Sequence, residues 1–145
     1  MVKIGKRVDA LIADGAATRA ISEITLAEAF STICSLQRGQ TLGYDGTWAR
    51  AVEDSIMGWI SSGNVLVLPL PPKLVEKAIY YVLTATREHG RDLRAWDAAH
   101  LYHAAVWAKQ VGNKVHLVTN DKDFPKILDV YPEFRQYVDV LDPET

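Results

Sequence analysis

The sequence predicts an α/β protein: a three-layer α/β/α sandwich whose central sheet is mainly parallel. Short β-favouring runs alternate with longer segments in which apolar residues recur every three or four positions, and this alternation is typical of βαβ units. The run at residues 64–70 (NVLVLPL) is apolar after Asn64, which is typical of a strand buried on both faces. Because 145 residues fit one domain with its own core, we expect a single domain over residues 1–145.

The first elements are predicted from periodicity and capping residues. Residues 6–14 are expected to form a helix with their apolar side chains on one side. Residues 17–25 then form a short strand. Thr25 is the expected N-cap of a helix over residues 26–37, with Glu28 at its N3 position.

The rest of the chain continues the alternation. In order, we expect a helix over residues 41–63, the apolar strand at 64–70, a helix beginning after Pro72, a helix over 93–112, a strand at 113–119, a helical or irregular segment at 123–135 and a last strand at 136–143. The helix after Pro72 is expected to bury six apolar side chains: Leu74, Val75, Ala78, Ile79, Val82 and Leu83.

Composition and the single cysteine limit the class of protein. With 48% hydrophobic and 23% charged residues, the chain resembles ordinary soluble globular proteins. No apolar run approaches the roughly 18–20 residues of a membrane span, and the basic N-terminus lacks the apolar region of a secretory signal. Cys34 has no partner for an internal disulfide. We therefore expect a cytoplasmic protein, with Cys34 as a small core residue.

The charge of the chain limits how it could hold a nucleic acid. A formal net charge of -2 lacks the basic footprint that dominates non-specific nucleic-acid binding. A nucleic-acid substrate would therefore be held by a local patch or through metal ions. Arg87, Arg91 and Arg94 form the candidate patch. The alternative is a solvated helix end favoured by the helix dipole.

Four acidic residues are predicted to lie at one edge of the sheet. In open parallel sheets, ligands bind beyond the carboxyl ends of the strands. Asp121 and Asp123 directly follow the strand at 113–119. Glu28 and Asp97 lie in the first turns of helices that begin at the same edge. Carboxylates that converge repel one another unless a cation neutralises them, and Mg²⁺ or Mn²⁺ would suit such an all-oxygen site.

Each of these acids also has a structural interpretation. Glu28 would complete a capping box with Thr25, and Asp97 would be a favourable acid in the first turn of its helix. Asp121 and Asp123 would be ordinary turn residues. The hypothesis of a metal site depends on the acids lying together in space.

Four stretches of the sequence carry a family resemblance: ISEITLAEAFS from residue 21, LRAWDAAHLYHAA from residue 93, VHLVTNDKDF from residue 115 and VDVLDP from residue 138. Together they resemble a PIN domain, particularly the bacterial VapC-type toxins, over residues 16–143. The resemblance matches the acids of that family to Glu28, Asp97 and Asp121. It matches three supporting residues as well: Ser22, Thr119 and Asp123.

The resemblance implies a PIN-like fold and an endoribonuclease that depends on Mg²⁺ or Mn²⁺. It also implies a toxin that a cognate antitoxin protein holds inactive. Arg91, Arg94 and Trp96 are the candidate RNA contacts, with Trp96 placed to stack on a base. The alternative for Trp96 is packing in the core.

One part of the family pattern has no counterpart in the chain. The first acid of the family ends its first strand, in an opening such as x-x-D-[TS]-[SN], whereas residues 1–7 read MVKIGKR. Asp9 follows, but we expect it on the surface of a helix. We therefore expect a chain that is truncated or rearranged at its N-terminus, with weakened metal binding. A central strand that is missing from the sheet would favour a homodimer.

Two hypotheses of function follow from the sequence. The first is metal-dependent RNA cleavage by Glu28, Asp97 and Asp121. The second is a PIN-like binding or regulatory module without turnover, which acts through its surface or through oligomerisation.

Overall fold

The computed structural model describes residues 10, 17–39 and 43–143. They belong to two compact units, an N-terminal unit that ends at Leu70 and a C-terminal unit that begins at Pro71. In this part of the chain there are five α-helices and two separate pairs of parallel strands. The prediction of a mixed α/β protein with parallel strands is therefore confirmed. Asp9 and the predicted helix at 6–14, apart from Ala10, lie outside the described residues.

Between residues 17 and 70, the described part of the N-terminal unit contains two strands and two helices, in the order β1 (Ala20–Ser22), α1 (Glu23–Arg38), α2 (Gly46–Ser61) and β2 (Leu66–Leu68). The strands are parallel, with Ala20 opposite Leu66. Helix α2 begins after Asp45, whose side chain accepts a hydrogen bond from the Trp48 N–H at 2.9 Å. This cap and the apolar spacing of the segment both favour a helix. The helix predicted over 41–63 is therefore confirmed.

Helix α1 begins three residues earlier than the sequence predicts. Its N-cap is Ser22, whose Oγ accepts a hydrogen bond from the Thr25 N–H at 3.1 Å. The prediction of Thr25 as the cap is therefore wrong, because the preceding serine satisfies the first free N–H groups of the helix. Glu28 consequently lies in the second turn of α1, and the capping box proposed for it does not form.

Burial in the N-terminal unit corrects two further predictions. Cys34 is exposed, because it lies about 100° around the helix axis from Ile33, which is buried. The apolar run at 64–70 is also not enclosed on both faces. It yields only the short strand β2, in which Leu66 is 45% exposed.

From Pro71 to Pro143, the C-terminal unit contains three α-helices, a 3₁₀ helix and two strands. In order they are α3 (Leu74–His89), α4 (Ala95–Val111), β3 (Val115–Val118), α5 (Asp123–Val130), the 3₁₀ helix (Pro132–Gln136) and β4 (Val138–Leu141). Each of these elements falls within a segment for which the sequence predicts that type of structure. Across the described ranges, no helix combines the length and apolar character that crossing a bilayer requires.

The core of the C-terminal unit is formed by α4, α5 and the strand pair β3–β4. The strands run parallel, with Val115 opposite Val138. Leu101 of α4 and Val138 are both 0% exposed, and Phe124 of α5 belongs to the same buried cluster. Gly112 ends α4 with a φ of 74°, as predicted, and its N–H donates to the Ala108 carbonyl. A left-handed residue at this position favours glycine, which has no Cβ to clash.

Helix α3 buries only part of the face that the sequence predicts. Leu74 and Ala78 are buried, and the helix packs on α4. Val75, Ile79 and Leu83 are 68%, 51% and 41% exposed, so the prediction that they are buried is wrong. These three lie four residues apart and form a second apolar stripe, which is rotated by about 100° from the first.

The hydroxyl of Tyr131 joins the segment after α5 to α3. It donates to the Tyr81 carbonyl at 2.7 Å and also contacts the Thr84 hydroxyl, while its side chain is only 5% exposed. We expect Tyr131→Phe to lower the free energy of unfolding by about 1–2 kcal/mol, because it leaves buried polar groups without this partner. Urea denaturation would measure the change. Tyr80→Phe is the matched control, since the Tyr80 side chain is 56% exposed and its loss should cost no more than about 0.5 kcal/mol.

Candidate metal centre

The turn after β3 is held by side chains that bind its own backbone. The Thr119 hydroxyl accepts a hydrogen bond from the Asp121 N–H at 3.1 Å, and Asp121 Oδ1 accepts one from the Asp123 N–H at 2.9 Å. The Thr119 N–H also continues the ladder by donating to the Leu141 carbonyl. Such turns are a common use of Asp and Thr. Here they also fix Asp121 and Asp123 at the carboxyl end of β3.

The first turn of α4 reaches the same end of β3. Only residues 112–114 separate the end of α4 from the start of the strand, and the two elements pack against each other. Since the chain reverses in this short connection, the beginning of the helix returns towards the end of the strand. Asp97 lies in this first turn and is buried, at 8% exposure.

These two features bring three carboxylates together. Asp97, Asp121 and Asp123 each offer one oxygen, and the three oxygens lie within 4.8 Å of one another. The side chain of Asp97 is 11% exposed, against 31% for Asp121 and 50% for Asp123. A cluster of this kind could hold a metal ion. We call these three residues the aspartate cluster.

Arg94, the N-cap residue of α4, supplies positive charge to the aspartate cluster. Its Nε lies 2.9 Å from Asp97 Oδ2, and its Nη2 lies 2.6 Å from Asp121 Oδ2 and 3.5 Å from Asp123 Oδ2. The hydrogen bond to Asp97, followed by the charges of Asp97 and Asp121, raises the pKa of Arg94 above its usual value. A single guanidinium therefore contacts all three carboxylates.

A cavity of about 430 Å³ lies next to the cluster. Its lining is partly apolar and partly charged: Val82, Thr86, Arg91, Asp92, Leu93, Arg94, Asp97, Asp123, Lys126, Ile127 and Val130. The predicted RNA contacts Arg91 and Arg94 both line it. Trp96 is 55% exposed, so its interpretation as a core residue is wrong, and its ring is accessible.

Arg94 and Lys126 form ion pairs at this site that the sequence does not predict. The sequence predicts Arg94 as an RNA contact or as part of a solvated helix end, although its spacing of three residues from Asp97 is that of a helical ion pair. Lys126 was not singled out at all. Its Nζ lies 3.1 Å from Asp123 Oδ1, again at a spacing of three. In both cases the sequence signal is a spacing of three residues, which places two side chains on the same side of a helix.

Glu28 and Ser22 belong to the N-terminal unit. Glu28 is exposed on α1, and Ser22 caps that helix through its contacts with Thr25, whose hydroxyl lies 2.8 Å from the Ser22 hydroxyl. The local role of Ser22 is therefore structural. Participation of Glu28 in a metal site stays a prediction.

Comparison with known proteins adds no relative to this picture. No protein-family model, no curated protein and no solved structure matches the chain.

Proposed function

We propose that this protein is a PIN-like endoribonuclease that depends on Mg²⁺ or Mn²⁺ and hydrolyses phosphodiester bonds in RNA. The observation that supports this proposal most directly is the aspartate cluster, with three carboxylate oxygens within 4.8 Å at the exit of β3. Its members include Asp97 and Asp121, two of the acids that the PIN resemblance assigns to catalysis. A three-layer PIN-like sandwich, a cytoplasmic toxin, a cognate antitoxin and a homodimer belong to the same proposal.

The donor set fits the proposed ions. All three candidate ligands are carboxylates, and hard divalent cations such as Mg²⁺ and Mn²⁺ prefer oxygen ligands. The buried cysteine thiolates and histidine pairs that favour zinc play no part in this cluster. The site is half-open, since only Asp97 is buried, which leaves room for water and for a substrate oxygen.

The residues of the cluster have separable roles in this proposal. Asp97 is held within the protein by burial and supplies a fixed negative charge. Asp121 is fixed by the turn that it forms with Thr119 and Asp123. A divalent cation bound by these carboxylates would neutralise phosphate charge and orient an attacking water. Glu28 is the fourth acid of the proposal.

The cavity beside the cluster provides the proposed contacts to RNA. Arg91, Arg94 and Lys126 place three cationic side chains on its lining, and cations of this kind bind phosphate oxygens. The exposed ring of Trp96 is available for stacking on a base. This local group supplies the positive charge that the chain as a whole, at a net charge of -2, does not.

The experiment that tests the proposal is cleavage of end-labelled single-stranded RNA of mixed sequence, followed on denaturing gels. We expect discrete products with Mg²⁺ or Mn²⁺ and none with EDTA. Asp121→Asn, purified in parallel, controls for contaminating ribonucleases. Cleavage that persists in EDTA, or that the Asp121→Asn preparation retains, would contradict the proposal.

A second candidate function is favoured by the contacts of Arg94. Because one guanidinium already contacts all three carboxylates, part of the negative charge of the cluster is neutralised without a metal. The protein would then be a PIN-like binding module without turnover. RNA binding in a gel-shift experiment, with intact RNA recovered in the presence of either ion, would identify this second function.

The contribution of Glu28 can be tested separately. Under the first proposal we expect Glu28→Gln to lower the rate of RNA cleavage by at least about tenfold, because the charge of one of the proposed catalytic acids is lost. Glu23→Gln is the matched control, since Glu23 lies exposed in the first turn of the same helix. Equal rates for the two variants would remove Glu28 from the site.

A further inference from the structure

We propose that Arg94 is a built-in competitor for the metal: its guanidinium occupies the aspartate cluster in the metal-free protein and must leave before a divalent cation can bind. This inference rests on the proposed metal dependence. It adds a means of regulation that belongs to the chain itself.

The first argument is the way the carboxylate oxygens are shared. Asp121 Oδ1 is occupied by the Asp123 N–H at 2.9 Å, and Asp123 Oδ1 is occupied by Lys126 at 3.1 Å. The second oxygen of each, Oδ2, faces Arg94 at 2.6 and 3.5 Å. A cation that binds through the two Oδ2 atoms must therefore take the oxygens that Arg94 contacts.

Asp97 also contacts Arg94 through its Oδ2 atom. Arg94 Nε donates to this oxygen at 2.9 Å. The guanidinium thus bridges carboxylates from two separate elements, α4 and the turn after β3. It lies where the three negative charges converge, which is also the position that a shared metal ion requires.

The second argument is that this contact can be released. The Arg94 side chain is 66% exposed, and ion pairs at such exposure are weakened by water and salt. Arg94 is the N-cap residue of α4 and has extended backbone dihedrals, so its side chain can turn away without unwinding the helix. Its neighbour Arg91 lines the same cavity, and the released guanidinium would remain at that cavity.

Loss of the proton of Arg94 does not provide the release. An arginine keeps its charge throughout the ordinary pH range, and its contacts with the carboxylates raise the pKa of Arg94 further. Displacement therefore depends on the concentration and charge of the competing cation. A divalent ion has twice the charge of the guanidinium that it replaces.

The first test is Mn²⁺ binding, measured by calorimetry on the full chain in the absence of RNA. We compare the unmodified protein with Arg94→Gln and Arg94→Lys. We expect Arg94→Gln to bind Mn²⁺ about tenfold more tightly, which corresponds to the loss of ion pairs of ordinary exposed strength. Arg94→Lys should fall between the two, because one ammonium keeps the charge but cannot reach all three carboxylates as a planar fork does.

Arg91→Gln is the control for general electrostatics. It removes one positive charge from the lining of the same cavity. We expect it to change Mn²⁺ affinity by less than about threefold, since exposed charges beyond contact distance are largely screened at physiological salt. An equal gain in affinity for Arg91→Gln and Arg94→Gln would overturn the inference, because the effect would then be one of net charge.

Thermal unfolding provides a second readout that does not depend on activity. Without metal, Arg94→Gln should melt at a lower temperature than the unmodified protein, because its carboxylates lose their counter-ion. Saturating Mn²⁺ should raise the melting temperature more in Arg94→Gln than in the unmodified protein, since the stabilisation of the folded state by a bound metal increases with the logarithm of its affinity. Equal shifts in the two proteins would contradict competition.

The outcomes separate this inference from the proposed function. If the unmodified protein and Arg94→Gln bind Mn²⁺ equally, the metal site stands and competition by Arg94 is excluded. If only Arg94→Gln binds, competition is supported in its strongest form. If no variant binds, the metal-dependent function is excluded, and the inference with it.

Discussion

Asp97→Asn is expected to lower metal-dependent RNA cleavage by a factor on the order of 100 or more. Loss of a group that organises charge at a reacting phosphate commonly has an effect of this size. Asp97 is the most buried member of the aspartate cluster, so solvent cannot replace its charge. Asparagine has nearly the same shape and keeps one oxygen, so the substitution tests charge rather than packing.

Asp129→Asn is the matched control for this substitution. Asp129 is an exposed aspartate of α5 that pairs with Arg135 at 2.6 Å, and the cluster does not include it. We expect its cleavage rate to stay within about twofold of the unmodified protein, as for surface substitutions in general. Rates should be measured under single-turnover conditions with saturating Mn²⁺. Undiminished cleavage by Asp97→Asn would remove this residue from the catalytic site.

Leu101→Ala is expected to lower the free energy of unfolding by about 3 kcal/mol, within the range of about 2–5 kcal/mol for buried leucines. Leu101 is 0% exposed and belongs to the buried hydrophobic cluster that joins α4 to α5 and the strands. Truncation leaves a cavity that the surrounding side chains fill only in part. A loss of this size is a large fraction of the stability of a small protein.

Urea denaturation followed by tryptophan fluorescence measures this change, because Trp107 packs against the same core. Leu83→Ala is the matched control, since Leu83 lies in α3 and is 41% exposed. We expect a change of about 0.5 kcal/mol or less for that variant. If both variants lost stability equally, the assignment of Leu101 to the core and Leu83 to the surface would be wrong.

The helices and strands of the C-terminal unit were predictable because their signals are local. Apolar periodicity predicts α3, and Gly112 marks the end of α4. Which side of a helix is buried depends on a partner elsewhere in the chain. Helix α3 has apolar residues on two stripes, and the sequence does not show that the stripe of Val75 and Ile79 is the exposed one.

The start of α1 shows a different limit. Ser22 and Thr25 are both good N-cap residues, and they lie only three positions apart. Local preference could not choose between them. The strand β1 ends at Ser22, and the first available cap after the strand is the one used. The same choice moves Glu28 from the first to the second turn of its helix.

The aspartate cluster was predictable in part. Because sites form beyond the carboxyl ends of strands, the sequence predicts that Asp97, Asp121 and Asp123 lie together. In the structure they lie close enough to hold one metal ion. The position of Arg94 across the cluster was not anticipated, because the sequence shows only that it is three residues from Asp97. The contact with Asp121 joins residues that are 27 positions apart, and such distant contacts leave no periodic signal.

In the turn after β3, the negative charge of Asp121 can be removed without removing the hydrogen bond that holds the turn. Asp121 Oδ1 receives the Asp123 N–H, and a carboxamide oxygen can receive the same bond. In Asp121→Asn the backbone scaffold should therefore survive while its formal negative charge disappears. Changes in that variant would then report the loss of the charge and of the Arg94 contact with Asp121 Oδ2, rather than a collapse of the loop.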